Sequence, residues 1–102
     1  MDVQIKKGLL DVCVLALVKR GDSYGYQLIA ELSKVVEISE STLYPILKRL
    51  MGAGQLTSYE RSHNGRLRRY YAITSAGLAR LRDFHSEWKE MEKLNAFIKG
   101  EI

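Results

Sequence analysis

A chain of 102 residues is long enough for one domain, or for one domain with an appended helix, but its core is small enough that self-association would be a natural supplement. Hydrophobic residues make up 46% and charged residues 27% of the chain, which excludes wholesale disorder. The net charge of +4 is compatible with a nucleic-acid partner without requiring one.

The single cysteine and the apolar run around it exclude several other classes of protein. Cys13 alone cannot form an intrachain disulfide or a thiolate metal site, and its apolar neighbours predict a buried structural thiol. Residues 9–18 contain Asp11 and are too few to span a bilayer. No signal peptide is evident, so we expect a cytoplasmic protein.

The first predicted helix covers residues 5–19. Its apolar residues leave almost no polar face, so its own domain should bury one side and a second chain or a C-terminal element another. Asp11 interrupts this pattern. We interpret it as a residue on the narrow strip that reaches solvent; the alternative is a polar group that lines a cavity.

A turn at residues 20–23 precedes the second predicted helix, residues 24–34, which Asp22 or Ser23 should cap. Tyr24 lies in the first turn of this helix. Its hydroxyl and the helix amides could contact a phosphate, or its ring could pack as a partly buried aromatic.

The third predicted helix covers residues 39–53. Ser39 or Ser41 should cap its start, and Gly52 with Gly54 should supply a left-handed exit. Pro45 lies inside the helix and should open or tighten the first turns, because its ring conflicts with the carbonyl four residues earlier. One face is an apolar stripe, and the opposite face carries hydroxyls and cations: Ser41, Thr42, Tyr44, Lys48 and Arg49.

Two short helices joined by a tight turn, the second with a polar face, are typical of a helix-turn-helix. A face of hydroxyls and cations suits an anionic partner that accepts hydrogen bonds. The alternative is an ordinary amphipathic helix whose polar face meets only water.

A β-hairpin is predicted next, with strands at residues 56–59 and 69–73 and a strong turn signal at Asn64-Gly65. Residues 59–70 carry a net charge of +3, from four arginines and Glu60. A hairpin in this position is a wing, whose tip can follow the DNA backbone or enter a minor groove. The alternative is that the arginines only protect an exposed edge from pairing with another strand.

Thr74 or Ser75 should cap the last helix, which runs to about residue 99. Its apolar residues recur at steps of three and four as a coiled-coil-like seam that needs a partner: Leu78, Leu81, Phe84, Trp88, Met91 and Ile98. Neither His63 nor His85 has a cysteine or carboxylate at ligand spacing. We therefore expect no metal site, no cofactor and no catalytic residue.

Three motifs together resemble the PadR family of transcriptional regulators: Ser-Thr-Leu-Tyr-Pro-Ile-Leu-Lys-Arg-Leu at residues 41–50, Arg-Arg-Tyr-Tyr-Ala-Ile-Thr-Ser-Ala-Gly at 68–77, and Gly-Asp-Ser-Tyr-Gly-Tyr at 21–26. The resemblance implies a mainly α-helical chain with a β-hairpin. Residues 1–74 would form a winged helix-turn-helix, and residues 75–102 a C-terminal dimerisation helix that pairs with helix one of the partner.

The resemblance also implies DNA-binding residues, which are Tyr24, Ser41, Thr42, Tyr44, Lys48, Asn64, Arg66 and Arg68. Many members carry glycine where Ser41 stands, so this chain departs from the pattern where the backbone would approach DNA. The expected function is a sequence-specific regulator, a repressor, that binds a palindromic double-stranded operator as a homodimer. The alternative is a winged-helix module that binds proteins and no DNA.

The short C-terminal helix resembles the compact subgroup that contains lactococcal multidrug-sensing repressors. In that subgroup a tryptophan on the last helix stacks aromatic ligands at the dimer interface. Trp88 occupies that place, and the facing positions on helix one would be Asp11, Val12 and Leu15. The resemblance thus implies a small aromatic or cationic effector; the alternative is that Trp88 is an aromatic of the dimer core.

Overall fold

Every predicted element is present in the computed structural model, which describes residues 1–102. The elements are, in order, α1 (Val3–Arg20), α2 (Gly25–Leu32), α3 (Glu40–Gly52), β1 (Leu56–His63), β2 (Arg66–Ile73) and α4 (Ser75–Ile98). The prediction of a mainly helical chain with one hairpin is confirmed.

Helix α1 begins two residues earlier than predicted because Asp2 caps it, accepting hydrogen bonds from the amides of Gln4 and Ile5. Its inner face contributes much of the core. The interpretation of Asp11 as a solvent-exposed residue is wrong, since only 6% of it is exposed. Its carboxylate is buried between the guanidinium groups of Arg49 and Arg80, which supply the charges that a buried carboxylate needs.

Helix α2 is shorter than predicted, and neither Asp22 nor Ser23 caps it. The N-cap position belongs to Tyr24, whose side chain makes no capping bond. Ser23 is extended instead, because its amide and carbonyl both pair with Tyr71 in a β-bridge. Its hydroxyl donates to Gln27.

Helix α3 starts after Ser39, but the Ser39 hydroxyl bonds to the hydroxyls of Ser41 and Thr42 rather than to a backbone amide. The amides of Thr42 and Leu43 both donate to the Ser39 carbonyl, so the turn before Pro45 is tightened. At the other end Gly54, with φ +71°, is the left-handed residue, and Gly52 is not. The amides of Gly54 and Gln55 return to Met51 and Leu50 in a Schellman motif.

The wing, residues 56–73, is longer than predicted. Its strands pair antiparallel from Leu56 opposite Ile73 to His63 opposite Arg66. Asn64 and Gly65 have φ values of 51° and 79°, which the right-handed twist of a two-residue hairpin requires. The tip is therefore a tight turn at the predicted residues.

The hydrophobic core lies between the inner faces of α1, α2 and α3 and is closed by Leu56, Tyr71 and Leu81. Helix α4, which Thr74 caps, begins against this core and then extends away from it. Beyond Phe84 its apolar side chains are exposed: Trp88, Met91, Leu94, Phe97 and Ile98. We call this set the distal stripe. No helix of the fold has both the length and the apolarity that crossing a bilayer demands.

Candidate nucleic-acid interface

A cleft of about 620 Å³ opens between the start of α2, the outer face of α3 and the wing. Five of the eight predicted DNA-binding residues line it: Tyr24, Tyr44, Asn64, Arg66 and Arg68. The other three, Ser41, Thr42 and Lys48, are exposed on α3 outside the cleft. The fold therefore brings the predicted residues of three separate segments to one side of the molecule.

Tyr44 is positioned by the absence of a side chain at Gly25. A Cβ atom at residue 25 would lie 2.5 Å from the Tyr44 hydroxyl oxygen, so a side chain there would displace the ring from its position against the start of α2. The ring remains 46% exposed on its outer side. Burial of its inner side, and then the charge of Glu40, raise the pKa of Tyr44, which keeps the phenol protonated as a hydrogen-bond donor.

Tyr24 joins α2 to the wing. The guanidinium carbon of Arg68 lies 3.9 Å from the centroid of the Tyr24 ring, a close cation–π contact. Tyr70 meets the same ring edge-on, with centroids 5.5 Å apart, and stacks on Tyr59 at 5.6 Å. Tyr24 is thus a packing aromatic, and its packing orients an arginine toward the cleft.

Two contacts hold the base of the wing against the turn before α2. The Tyr59 hydroxyl donates to Asp22 at 2.6 Å, and this bond raises the pKa of Tyr59. The bridge between Ser23 and Tyr71 adds two backbone bonds. The base of the wing is therefore held beside the start of α2.

The wing concentrates positive charge that the chain does not neutralise. Arg61 and Arg68 face each other across the strand pair, an arrangement that is destabilising for like charges. None of the four wing arginines forms an ion pair with a carboxylate of the chain. Stacking of Arg61 on Tyr70 and of Arg68 on Tyr24 offsets part of the repulsion, and the charges remain available to an anion.

The outer face of α3 differs from the prediction at one cation. Lys48 is exposed and makes no ion pair, whereas Arg49 is turned toward α1 and bound to Asp11. At the start of α3 the hydroxyls of Ser39, Ser41 and Thr42 bond to one another, so no side chain caps the first amides. The uncapped amides at the start of α3 can therefore still donate hydrogen bonds to an acceptor outside the chain.

Trp88 lies in a different place, a groove of about 400 Å³ between α1 and α4. Its ring stacks on Phe84 and its Nε1–H donates to Glu92 at 2.7 Å. Val12 lines the same groove, but Asp11 and Leu15 do not, because both face the core. Of the predicted effector residues, Trp88 and Val12 therefore share the groove, whereas Asp11 and Leu15 lie on the other side of α1.

Further residues line the cleft that the sequence did not single out as DNA-binding: Tyr26, His63, Leu67 and Arg69. The predicted strands end at residue 59 and begin again at residue 69. The sequence therefore does not define on which side of the hairpin the side chains of residues 60–68 lie. The sequence does contain one signal for Tyr26 as a residue of this surface: it is a second tyrosine, two residues after Tyr24, at the start of an amphipathic helix.

Half-buried Cys13 and the charged residues near Trp88 form no metal site. No group of three or more histidine, cysteine, aspartate or glutamate side chains in the chain is placed to hold a metal ion. Burial raises the pKa of the Cys13 thiol, in keeping with a structural residue.

Comparison with known proteins gives one consistent result. Residues 14–83 match the "Transcriptional regulator PadR-like family". The chain is 39% identical over 71 residues to the transcriptional regulator Rv3488 of Mycobacterium tuberculosis, covering 69% of this chain and 66% of that protein. The crystal structure of smu.1704 from Streptococcus mutans has 39% identity and a TM-score of 0.81, over 92% of this chain and 90% of that one.

A third similar structure is Bacillus subtilis PadR in complex with operator DNA. It has 26% identity and a TM-score of 0.68, and the match covers 74% of this chain but only 45% of that longer one. These likenesses confirm the predicted winged-helix fold.

Proposed function

Because this chain belongs to the PadR-like family of transcriptional regulators, we propose that it is a repressor that binds a palindromic operator sequence as a homodimer. A similar structure was determined with operator DNA bound, which supports a duplex DNA partner for this chain. Regulation by a DNA-binding protein of this kind needs no catalytic step.

The observation that carries the proposal is the cleft in which α2, α3 and the wing meet. It gathers tyrosine hydroxyls, an asparagine and unpaired arginines on one side of the molecule. Ser41, Thr42 and Tyr44 would reach the major groove from α3. Lys48 would contact the DNA phosphate backbone at the edge of that groove. Asn64, Arg66 and Arg68 would contact phosphates or enter the adjacent minor groove, and Tyr24 would hold Arg68 in place.

The distal stripe supports a homodimer. Five large apolar side chains on one helix are exposed in the single chain, and α1 adds the half-buried Leu9, Val12 and Cys13 along a second apolar groove. We propose that residues 1–74 form the DNA-binding domain and that residues 75–102 pair with α1 of a second copy. The two α3 helices would then enter successive major grooves, about 34 Å apart.

Substitution of Arg66 by alanine tests DNA binding. We expect Arg66→Ala to weaken binding to all duplex sequences similarly and to reduce the slope of log affinity against log salt by about one unit. Arg82→Ala removes the same charge from an exposed position on α4 and should leave the slope unchanged. Fluorescence anisotropy with labelled duplexes at several salt concentrations measures both. Equal slopes for wild type and Arg66→Ala would contradict phosphate contact at the tip.

An effector, in this proposal, is a planar aromatic or cationic molecule that binds beside Trp88. Phe84, Val12 and Met91 supply apolar surface in that groove, and Asp83 and Glu87 supply negative charge. Such a molecule would act through different affinities for two arrangements of the dimer. Trp88 is the only tryptophan, so ethidium should quench the protein fluorescence in a saturable way. Linear, non-saturating quenching up to high ethidium concentration would contradict the effector site.

A further inference from the structure

Asp11 connects three helices that are distant in sequence. Arg49 of α3 donates from Nη2 to Oδ1 at 2.5 Å and from Nε to Oδ2 at 3.3 Å. Arg80 of α4 donates from Nη2 to Oδ2 at 3.3 Å. Both carboxylate oxygens are therefore occupied, and the ion pairs join α1, α3 and α4 at the buried Asp11, although the Arg49 side chain itself remains half exposed.

Arg80 extends this connection to the end of α3. Its Nη1 donates to the Gln55 side chain at 2.8 Å, and Gln55 closes the Schellman motif that ends α3. Close by, the Thr74 hydroxyl donates to the Gly54 carbonyl at 2.6 Å. The same Arg80 side chain also lines the groove that contains Trp88. The residues that directly follow α3 and the first turns of α4 are thus bonded to each other through side chains.

The geometry restricts what Arg49 can do. Arg49 and Lys48 are neighbours on α3, but only Lys48 is free of an intramolecular ion pair. Release of Arg49 toward DNA would leave the nearly buried Asp11 with a single guanidinium partner, which is costly for a charge removed from water. A two-point hydrogen bond between guanidinium and carboxylate also fixes orientation in a way that a single contact does not.

We propose that Asp11, Arg49 and Arg80 are positioning residues that set the orientation of α3 relative to α4, and that Arg49 contacts no DNA although it lies on the DNA-facing helix. This inference rests on the proposed DNA-binding function. Arg80, between the ion pairs and the Trp88 groove, would connect events at α4 to the placement of α3.

The test compares the salt dependence of binding for two adjacent cations. The DNA is the tightest duplex that the wild-type chain selects from a random-sequence pool. Lys48→Met should reduce the salt slope by about one unit, as loss of a phosphate contact does. Arg49→Met should weaken binding about tenfold with the wild-type slope retained, and Asp11→Asn should do the same. Circular dichroism checks that each variant is folded.

A double-mutant cycle tests whether Asp11 and Arg49 affect binding through each other, while the salt slope separates positioning from direct contact. The effects of Asp11→Asn and Arg49→Met on affinity should be strongly non-additive, whereas those of Asp11→Asn and Lys48→Met should add. If Arg49→Met fails to fold, Arg49→Lys decides: a phosphate contact would survive this change, but the two-point bond to Asp11 would not, so we expect weaker binding at an unchanged slope.

Two results would overturn the inference while leaving DNA binding intact. One is a loss of slope for Arg49→Met equal to that for Lys48→Met. The other is wild-type affinity for folded Asp11→Asn or Arg49→Lys. Absence of duplex binding by the wild-type chain at low salt would instead overturn the proposed function, and this inference with it.

Discussion

The wing and the distal stripe of α4 are both incomplete surfaces, but they lack different things. The wing presents four arginines without carboxylate partners on a hairpin that is anchored at its base. The distal stripe presents apolar side chains without cover on a helix that has left the core. The first surface suits a polyanion and the second an apolar surface such as a second copy of the chain.

This difference predicts that salt affects the two kinds of association unequally. Attraction between the wing and a polyanion weakens as ions screen it and as counterions compete for the phosphates. Association through the distal stripe depends on removal of apolar surface from water and should be little affected by moderate salt. The following substitutions test whether the two surfaces are as separate as this comparison implies.

The largest effect should come from a charge in the distal stripe. Leu94→Glu places an unpaired carboxylate in an apolar contact twice per dimer, and burial of an unpaired charge costs more than burial of a neutral polar group, so the proposed dimer should dissociate at concentrations where wild type is paired. Sedimentation equilibrium measures this. Leu67→Glu is the matched control, since Leu67 is also an exposed leucine but lies on the wing. Equal association by wild type and Leu94→Glu would contradict dimerisation through α4.

Removal of a core leucine should affect folding instead of association. Leu50 is fully buried on α3, and Leu50→Ala should lower the free energy of unfolding by about 2–5 kcal/mol. Leu67→Ala should change it by less than about 0.5 kcal/mol. Urea unfolding monitored by circular dichroism gives both values. A small loss for Leu50→Ala would show that the core tolerates the cavity by rearrangement.

The start of α4 should be nearly as sensitive, because Gly77 has no room for a side chain. A Cβ atom there would overlap the Gln55 carbonyl and the Ile73 side chain. We expect Gly77→Ala to cost about 1–3 kcal/mol in unfolding free energy. Gly52→Ala, in open space at the end of α3, should instead be neutral or stabilise by up to about 1 kcal/mol. If both substitutions behave alike, the contact between α4 and Gln55 is not tight.

The smallest effect concerns the cleft between α2, α3 and the wing. Gly25→Ala should push the Tyr44 ring from its seat and weaken DNA binding by about tenfold or less, with little loss of stability. Tyr44→Phe removes the atom that the new methyl group would meet. Gly25→Ala should therefore cost less affinity in the Tyr44→Phe background than in wild type, which anisotropy titrations of the four proteins can establish.

Local patterns in the sequence predicted most of the fold. Helical periodicity identified the inner faces of the helices, and Asn64-Gly65 located the hairpin tip, because these signals act over a few residues. The cap of α2 was predicted wrongly because Ser23 pairs with Tyr71, 48 residues away, and such a pairing leaves no local trace.

The same limit applies to the site. Periodicity distinguishes the apolar from the polar face of α3, but it does not separate Lys48 from Arg49, which are adjacent and both cationic. Their difference comes from Asp11, which lies 38 residues before Arg49 and 69 before Arg80. A lone aspartate in an apolar run indicates that a buried partner is needed, but not which arginine supplies it.

Side-chain bonds between the end of α3 and the start of α4 couple the position of α3 to that of α4. With 24 residues, α4 is about 36 Å long. If each α4 of the proposed dimer turned by about ten degrees about its C-terminal end, its first turn and the adjoining end of α3 would be displaced by roughly 6 Å, more than the rise of a single base pair. In the proposed dimer, a small molecule inserted between the two α4 helices would thus suffice to change the spacing of the two α3 helices so that it no longer matches successive turns of the duplex.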